Sequence, residues 1–439
     1  MRNYAVSVAK IFADITPLRE SVPFRRLWVG NGLSSIGTQL TVVAVSLEVY
    51  DLTGSTLSVG LLGLVALLPL VFSGLYGGAI ADVHDRRKVA LLSSAILWLV
   101  TICIALQAWL GLGNVGILYG LIAIQSAAAG INGSARSAIV PRLVRIELLP
   151  SANALSMIVM GLGTTIGPLM AGILVANIGY GWTYTVDVLT FTASLWALFK
   201  LPPLPPLPRA GENDGGAPAQ RAGLRTVLEG FAFLGSRKNV RMTFLVDLCA
   251  MVFALPRALL PALGAVWLGG GEQTAGLLLA SIAAGSFLAA LFSGPLGSVR
   301  RQGLAVVWSI TLWGGAIMAL GGSVLFGGRT HDGVISPWIV GAVAALVVAG
   351  VADSISSVFR STILQAATPD HLRGRLQGIF VVVVTGGPRL GDVFSGTTGS
   401  WLGEGWAAVV GGILCIATVW GLASWQPSFL RYDARHPQP

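Results

Sequence analysis

The chain has 439 residues, of which 54% are hydrophobic and 11% charged, and its net charge is +9. Water-soluble domains carry about a quarter charged residues, so composition excludes an ordinary soluble enzyme and makes lipid the natural solvent. Nor does the positive charge point to nucleic acid, because the basic residues sit in short connections between apolar runs.

A helix needs about 20 apolar residues to cross the hydrocarbon core. In chain order the expected spans are Leu27–Tyr50, Leu57–Ile80, Val89–Leu110, Val115–Ser134, Ala152–Ile178 and Trp182–Phe199. After a break come Met242–Leu268, Thr274–Gly297, Gly303–Leu325, Trp338–Phe359, Leu376–Trp401 and Trp406–Trp425. The runs are long and continuously apolar, which favours helices over barrel strands. The N-terminus lacks an early apolar core with a small-residue cleavage site, so the first span is expected to act as an uncleaved insertion signal. Cys103, Cys249 and Cys415 all fall inside apolar runs and define no disulfide framework.

The basic residues alternate. Twenty-five of the 28 lie in the two tails and the even-numbered connections, among them Arg86, Arg87, Lys88, Arg136 and Arg360; Arg329 is in an odd connection, and Arg257 and Arg389 are inside spans. That asymmetry places both termini in the cytoplasm of a multi-pass inner-membrane protein. The expected layout is a cytoplasmic segment 1–26, a six-helix bundle 27–200, a cytoplasmic linker 201–241, a second six-helix bundle 242–425 and a cytoplasmic tail 426–439. The linker opens with the proline run Leu201–Pro208. It continues with Leu224, Val227, Leu228, Phe231 and Leu234 at helical spacing, which reads as an amphipathic surface helix or a membrane-hugging spacer.

The halves repeat. Arg136-Ser-Ala-Ile-Val140 matches Arg360-Ser-Thr-Ile-Leu364, Gly167-Pro168 matches Gly387-Pro388, and Gly78 matches Gly294, at nearly constant offset. The pattern implies an all-α membrane protein of twelve transmembrane helices in two pseudo-symmetric six-helix bundles. Parallel repeats of this kind enclose a substrate site near the midplane.

Two motifs stand out. After the second span, small residues with Asp82, Arg86 and Arg87 in Gly77–Lys88 can bring two helix ends together and build a charge network at the cytoplasmic mouth; a plain topogenic loop is the alternative. In the fifth span, Gly163, Gly167, Pro168 and Gly172 give a flat, kink-prone face, which ordinary small-residue packing also explains. Gly78, Asp82, Arg86 and Arg87 resemble the conformational-gate signature of the major facilitator superfamily, with Asp85 where glycine is usual. The fifth span resembles the motif of its proton-coupled antiporters, with Ala171 replacing one glycine. Arg142–Leu155, Leu201–Pro208, Arg257–Leu263 and Thr362–Arg375 are similar to the branch of enterobactin-type siderophore exporters and multidrug efflux pumps. The resemblance implies export of a siderophore or another amphipathic small molecule by proton antiport, with a broad drug pump as the alternative. A membrane-embedded enzyme or non-transporting scaffold is the remote third reading.

Ionisable groups inside spans are costly and mark function. Arg257 is expected to attract an anionic substrate or to pair with an acid of the first half. Asp247 and Asp353 are candidates for substrate or proton, or for helix-end hydrogen bonding. Arg389 and Asp392, three apart, are expected to pair on one helix face. Asp187 is expected to tie down a helix, and Glu48 to be solvated. His84, His331, His371 and His436 lie outside the spans without metal spacing, and the chain has no phosphate-binding Gly-x4-Gly-Lys-[Ser/Thr] loop. The expected partners are therefore lipid, protons and a small-molecule substrate, with no cofactor beyond a proton gradient, no metal and no nucleic acid, for a monomer.

Overall fold

The computed structural model of the chain describes residues 14–204, 237–292, 296, 299–330, 334–366 and 373–433. The expected amphipathic helix at 224–234, residues 294, 295, 297 and 298 of the second-half loop and Thr368-Pro369 lie outside these residues. So does most of the linker.

After a short helix Thr16–Glu20, the first half consists of α1 (Val22–Thr53), α2 (Thr56–Val83), α3 (Arg86–Trp109), α4 (Val115–Leu143) and one long helical stretch, Leu149–Phe199. That stretch folds back at Gly179, whose φ of 76° suits a residue without a Cβ. It therefore supplies two antiparallel limbs, α5 (149–178) and α6 (180–199). Polar side chains mark the starts: Ser21, Ser55, Asp85 and Asn114 each accept a backbone N–H of the first turn.

The second half has α7 (Lys238–Phe253), α8 (Gly271–Leu291), α9 (Gln302–Gly327), α10 (Ile339–Ala366), α11 (Arg373–Leu402) and α12 (Glu404–Trp425). Among the described residues, ten helical stretches are long and apolar enough to cross a membrane. The stretch that folds at Gly179 counts twice, and α11, a 30-residue helix outside those ten, brings the number to twelve. Large apolar side chains face outward along them, as Leu92, Leu99 and Leu106 do on α3, the surface a lipid solvent requires.

Helix pairing repeats between the halves. Helix α1 packs on α5 as α7 packs on α11, α2 on α4 as α8 on α10, and α3 on α6 as α9 on α12. Among the described residues, two long helix seams join the halves, α2 with α11 and α5 with α8.

Small residues make both seams. Across the first, Thr56 donates a hydrogen bond to the Gly396 carbonyl (3.1 Å), and a Cβ on Gly60 would meet the Asp392 carbonyl. Across the second, a Cβ on Gly276 would stand 2.6 Å from the Pro168 carbonyl oxygen. These contacts lie toward the end that holds the α1–α2 turn. Toward the other end, where the basic connections lie, the stripes that continue from Pro168 and Gly276 are exposed, including Met157, Gly161 and Thr164 on α5 and Phe287 on α8. Along this second seam, among the described residues, the halves touch at one end and part at the other.

Three expectations about the spans need correction. Helices α4 and α10 run about two turns past the expected ends, so Arg136 and Arg360 belong to helices rather than to loops. The seventh span is not one helix. Helix α7 stops at Phe253, and the chain goes on through a 3-10 turn Arg257–Leu259, Leu260–Ala262 and a π turn Leu263–Trp267. Pro256 cannot donate its nitrogen, and the Ala254 carbonyl freed at the break accepts the Trp313 indole N–H (3.1 Å).

Candidate functional site

The break in α7 aims Arg257 at α11. Its guanidinium donates to both oxygens of Asp392, Nε to Oδ1 at 3.1 Å and Nη2 to Oδ2 at 2.6 Å. Bidentate geometry of this kind is the strong form of the ion pair. Asp392 is 7% exposed and the Arg257 side chain 36%, so the carboxylate is sealed and the cation looks out. Asp392 thus pairs with Arg257 and not with Arg389, correcting the expected pair within α11. It likewise corrects the expected partner of Arg257, which comes from the second half. The reason is reach: the irregular backbone after Pro256 turns Arg257 head-on to the carboxylate. Helix α2 can lie against this pair because it presents glycine there; a Cβ on Gly63 would stand 2.9 Å from the Asp392 Cβ. Arg389 is near enough for both Arg257 and Asp392 to act on it electrostatically. Two guanidinium groups and one carboxylate leave the cluster with an excess positive charge.

A second cluster lies between α7 and α10. Arg360 is ion-paired with Asp247 and stands 3.6 Å from Asp353. Asp247 and Arg360 are almost fully buried, whereas the Asp353 side chain is half exposed. The first-half counterpart is Arg136 of α4. It donates to Asn31 of α1, to Ser94 of α3 (3.0 Å) and to Ser194 of α6 (2.9 Å). Asn31 and Asp247 are 216 positions apart, the same spacing as Gly78 and Gly294. The duplication therefore retains an arginine clamp between the first and fourth helix of each half, with a carboxylate in one half and an amide in the other. The pairing is hidden in the sequence because both arginines follow the apolar runs and read as loop residues; their place in the repeat is the signal.

This asymmetry has a measurable consequence. Removing one partner of a buried pair costs about 3–5 kcal/mol. We expect Asp247→Asn to lower the melting temperature in detergent, with Asp353 limiting the loss. Asn31→Asp, which gives Arg136 a carboxylate, is expected to raise it. Thermal unfolding followed by tryptophan fluorescence measures both.

In the loop after α2, the described side chains include those of Asp85 and Arg87. Gly78 and Asp82 are in the last turns of α2, and the surroundings of their side chains lie outside the described residues. Arg87 is directed to the end of α6, where it donates to the Phe199 carbonyl (2.6 Å) and lies over the Phe199 ring, a favourable place for a cation at a helix C-terminus. Asp85, the departure from the family pattern, caps α3 through the Arg87 N–H (2.9 Å) and accepts the Leu204 N–H (3.3 Å). The Arg86 N–H donates to the Leu204 carbonyl (3.2 Å). The loop is thereby strapped to the exit of the first bundle.

The glycines of α5 divide between two partners. Cβ atoms on Gly163 and Gly167 would meet Ser35 and Gln39 of α1, while Gly172 faces Glu272 and Gln273 of α8. Pro168 faces α8 through its carbonyl.

Residues 12–429 match the family described as transmembrane secretion effector. The chain belongs to this family of the major facilitator superfamily. It is 32% identical over 391 residues to the "Enterobactin exporter EntS" of Escherichia coli O127:H6, covering 89% of this chain and 88% of that protein. Among solved structures it resembles a D-xylose-proton symporter (TM-score 0.71, 10% identity, 93% of this chain and 98% of that one). It also resembles the nucleoside transporter NupG (TM-score 0.70, 16% identity, 92% and 98%). These likenesses establish the fold. The chain is a multi-pass membrane transporter and not an enzyme.

Proposed function

We propose that this transporter exports an anionic siderophore of the enterobactin type by proton antiport through alternating access. The observation that carries the proposal is the 32% identity to an enterobactin exporter along 89% of the chain. The charge at the α7 break agrees with it: Arg257 and Arg389 outnumber Asp392, and Arg257 is partly exposed, so the cluster favours an anion. In this reading the basic connections are cytoplasmic, and the halves part toward the cytoplasm, ready to load. The gradient supplies about 2.3 kcal/mol per proton at 100 mV, and protonation of intramembrane acids biases the two states.

A broad drug pump is the second reading, favoured by exposed Met157 on the α5 stripe that continues from Pro168. Methionine adapts to many apolar shapes. Everted vesicles carrying the full chain decide between them. An imposed pH gradient is expected to drive uptake of radiolabelled enterobactin, with little uptake of Hoechst 33342. Dye uptake alone would favour the drug pump, and movement of neither would end proton-driven export of both.

A further inference from the structure

The first half holds a second set of buried acids, away from the α7 break. It follows the seam between α1 and α6. Asp187 of α6 is 0% exposed. It accepts hydrogen bonds from Thr41 of α1 (2.6 Å) and Thr190 of its own helix (3.2 Å). Its carboxyl group fits only because Gly37 of α1 has no side chain, since a Cβ there would collide with Oδ1. Two turns along α1, about 10 Å, Glu48 is 6% exposed instead of solvated as its position in the sequence implied. It accepts hydrogen bonds from Tyr184 of α6 (2.6 Å) and Gln107 of α3 (2.6 Å). One turn further, Asp51 accepts from Tyr180 at the end where the halves meet.

None of these acids has a cationic partner among the described residues. Thr41, Thr190 and Gly37 surround Asp187. The charged or titratable groups facing Glu48 are Tyr184 and Asp51. Those facing Asp51 are Tyr180 and, from α8, Glu272. Glu404 and Arg329 act on neighbouring Tyr50. The arginine clamp of this half, Arg136, lies at the other end of the seam, on Asn31 and Ser194.

An isolated carboxylate at such depth carries a large desolvation cost, which binding a proton removes. A separate observation points the same way. Gln107 Oε1 is buried without a hydrogen-bond partner while its Nε2 donates to Glu48. Amide orientation is interchangeable by a half-turn, and a turned Gln107 would accept the proton of a neutral Glu48 carboxyl group.

We propose that Asp187 and Glu48, on the α1–α6 seam, are the acids that carry the proton of the transport cycle. The inference rests on the proton-coupled reading above. Each acid takes a proton from water, passing from carboxylate to carboxylic acid, and returns it to water when the seam opens to the other side; no electrons move. The link to transport is mechanical. Helix α1 has α6 on one face and Gly163 and Gly167 of α5 on another, and α5 carries Pro168 and Gly172 into the seam with α8. Charge appearing between α1 and α6 therefore loads the helix that closes the two halves.

The test uses the full chain in proteoliposomes, with radiolabelled enterobactin and Hoechst 33342 as probes. Two transport modes are compared: uptake driven by a pH gradient, and exchange of internal for external probe without a gradient. Asp187→Asn and Glu48→Gln keep the size of each side chain and one of its two acceptor oxygens. Each is expected to cut gradient-driven uptake at least about tenfold while exchange stays within about twofold. Loss of both modes would mean a structural role and overturn the proposal, as would retention of gradient-driven uptake. Uptake driven by a sodium gradient in the wild type, blocked by the same variants, would overturn it in favour of a metal cation. If wild-type exchange is intact but no pH gradient drives either probe, proton coupling itself falls, and that result is distinct from coupling that survives the variants.

Discussion

Replacing Asp392 by Asn is expected to abolish transport by this chain, with a loss of at least about 100-fold, and to destabilise it by about 2 kcal/mol. The argument starts at the broken seventh span. Asp392 holds Arg257 with two charge-assisted bonds and is itself sealed. Its removal strands a guanidinium beside Arg389, so two like charges face one another across α7 and α11. Fully buried pairs cost more to break, but the 36% exposure of Arg257 allows solvent to take up part of its charge. Arg257→Gln is expected to be as inactive but less destabilising than a change that leaves two cations unopposed. The double variant Arg257→Gln with Asp392→Asn should recover stability without transport. Melting temperature together with vesicle uptake separates these outcomes; equal destabilisation by all three variants would mean that the pair contributes nothing beyond packing.

Much of this architecture was legible in the sequence, and the reasons are physical. Lipid demands long apolar runs, so twelve spans could be counted from composition, and a duplicated chain shows its period in Arg136 and Arg360. What remained hidden depends on where helices end and where side chains reach. A helix extends past its apolar run when its polar side chains find partners inside the bundle, as Arg136 does with Asn31, Ser94 and Ser194. Helix spacing allows Arg389 and Asp392 to meet, but spacing carries no information about a better partner on another helix, and Pro256 supplies one by bending α7. Glu48 looked solvated because it is near a span end. Only the fold reveals that Tyr184 and Gln107 close over it.

A bulky side chain at the α5–α8 seam is expected to have the other large effect: Gly172→Val should trap the transporter with its halves parted at the end where they now meet. A Cβ on Gly172 would run into the Glu272 carbonyl, and one on Gly276 would stand 2.6 Å from the Pro168 carbonyl. These are backbone atoms of regular helices, which cannot yield as a flexible side chain would, so the helices themselves must separate. The other seam can act as the pivot, since α2 and α11 meet through Thr56, Gly60 and Gly396 with, among the described residues, one inter-half hydrogen bond to a carbonyl. Alternating access requires the two conformations to lie within a few kcal/mol, and overpacking a close contact costs about 1–3 kcal/mol, enough to move most molecules into the other state. Spin labels near the ends of α1 and α8 should report a longer distance in Gly172→Val than in the wild type, and gradient-driven uptake should fall while the melting temperature changes little. Gly161→Val offers the control. No atom lies within 4 Å of a Cβ there, so it should leave both the distance and the stability unchanged, and a matching shift in that variant would show that the seam is not what holds the halves together.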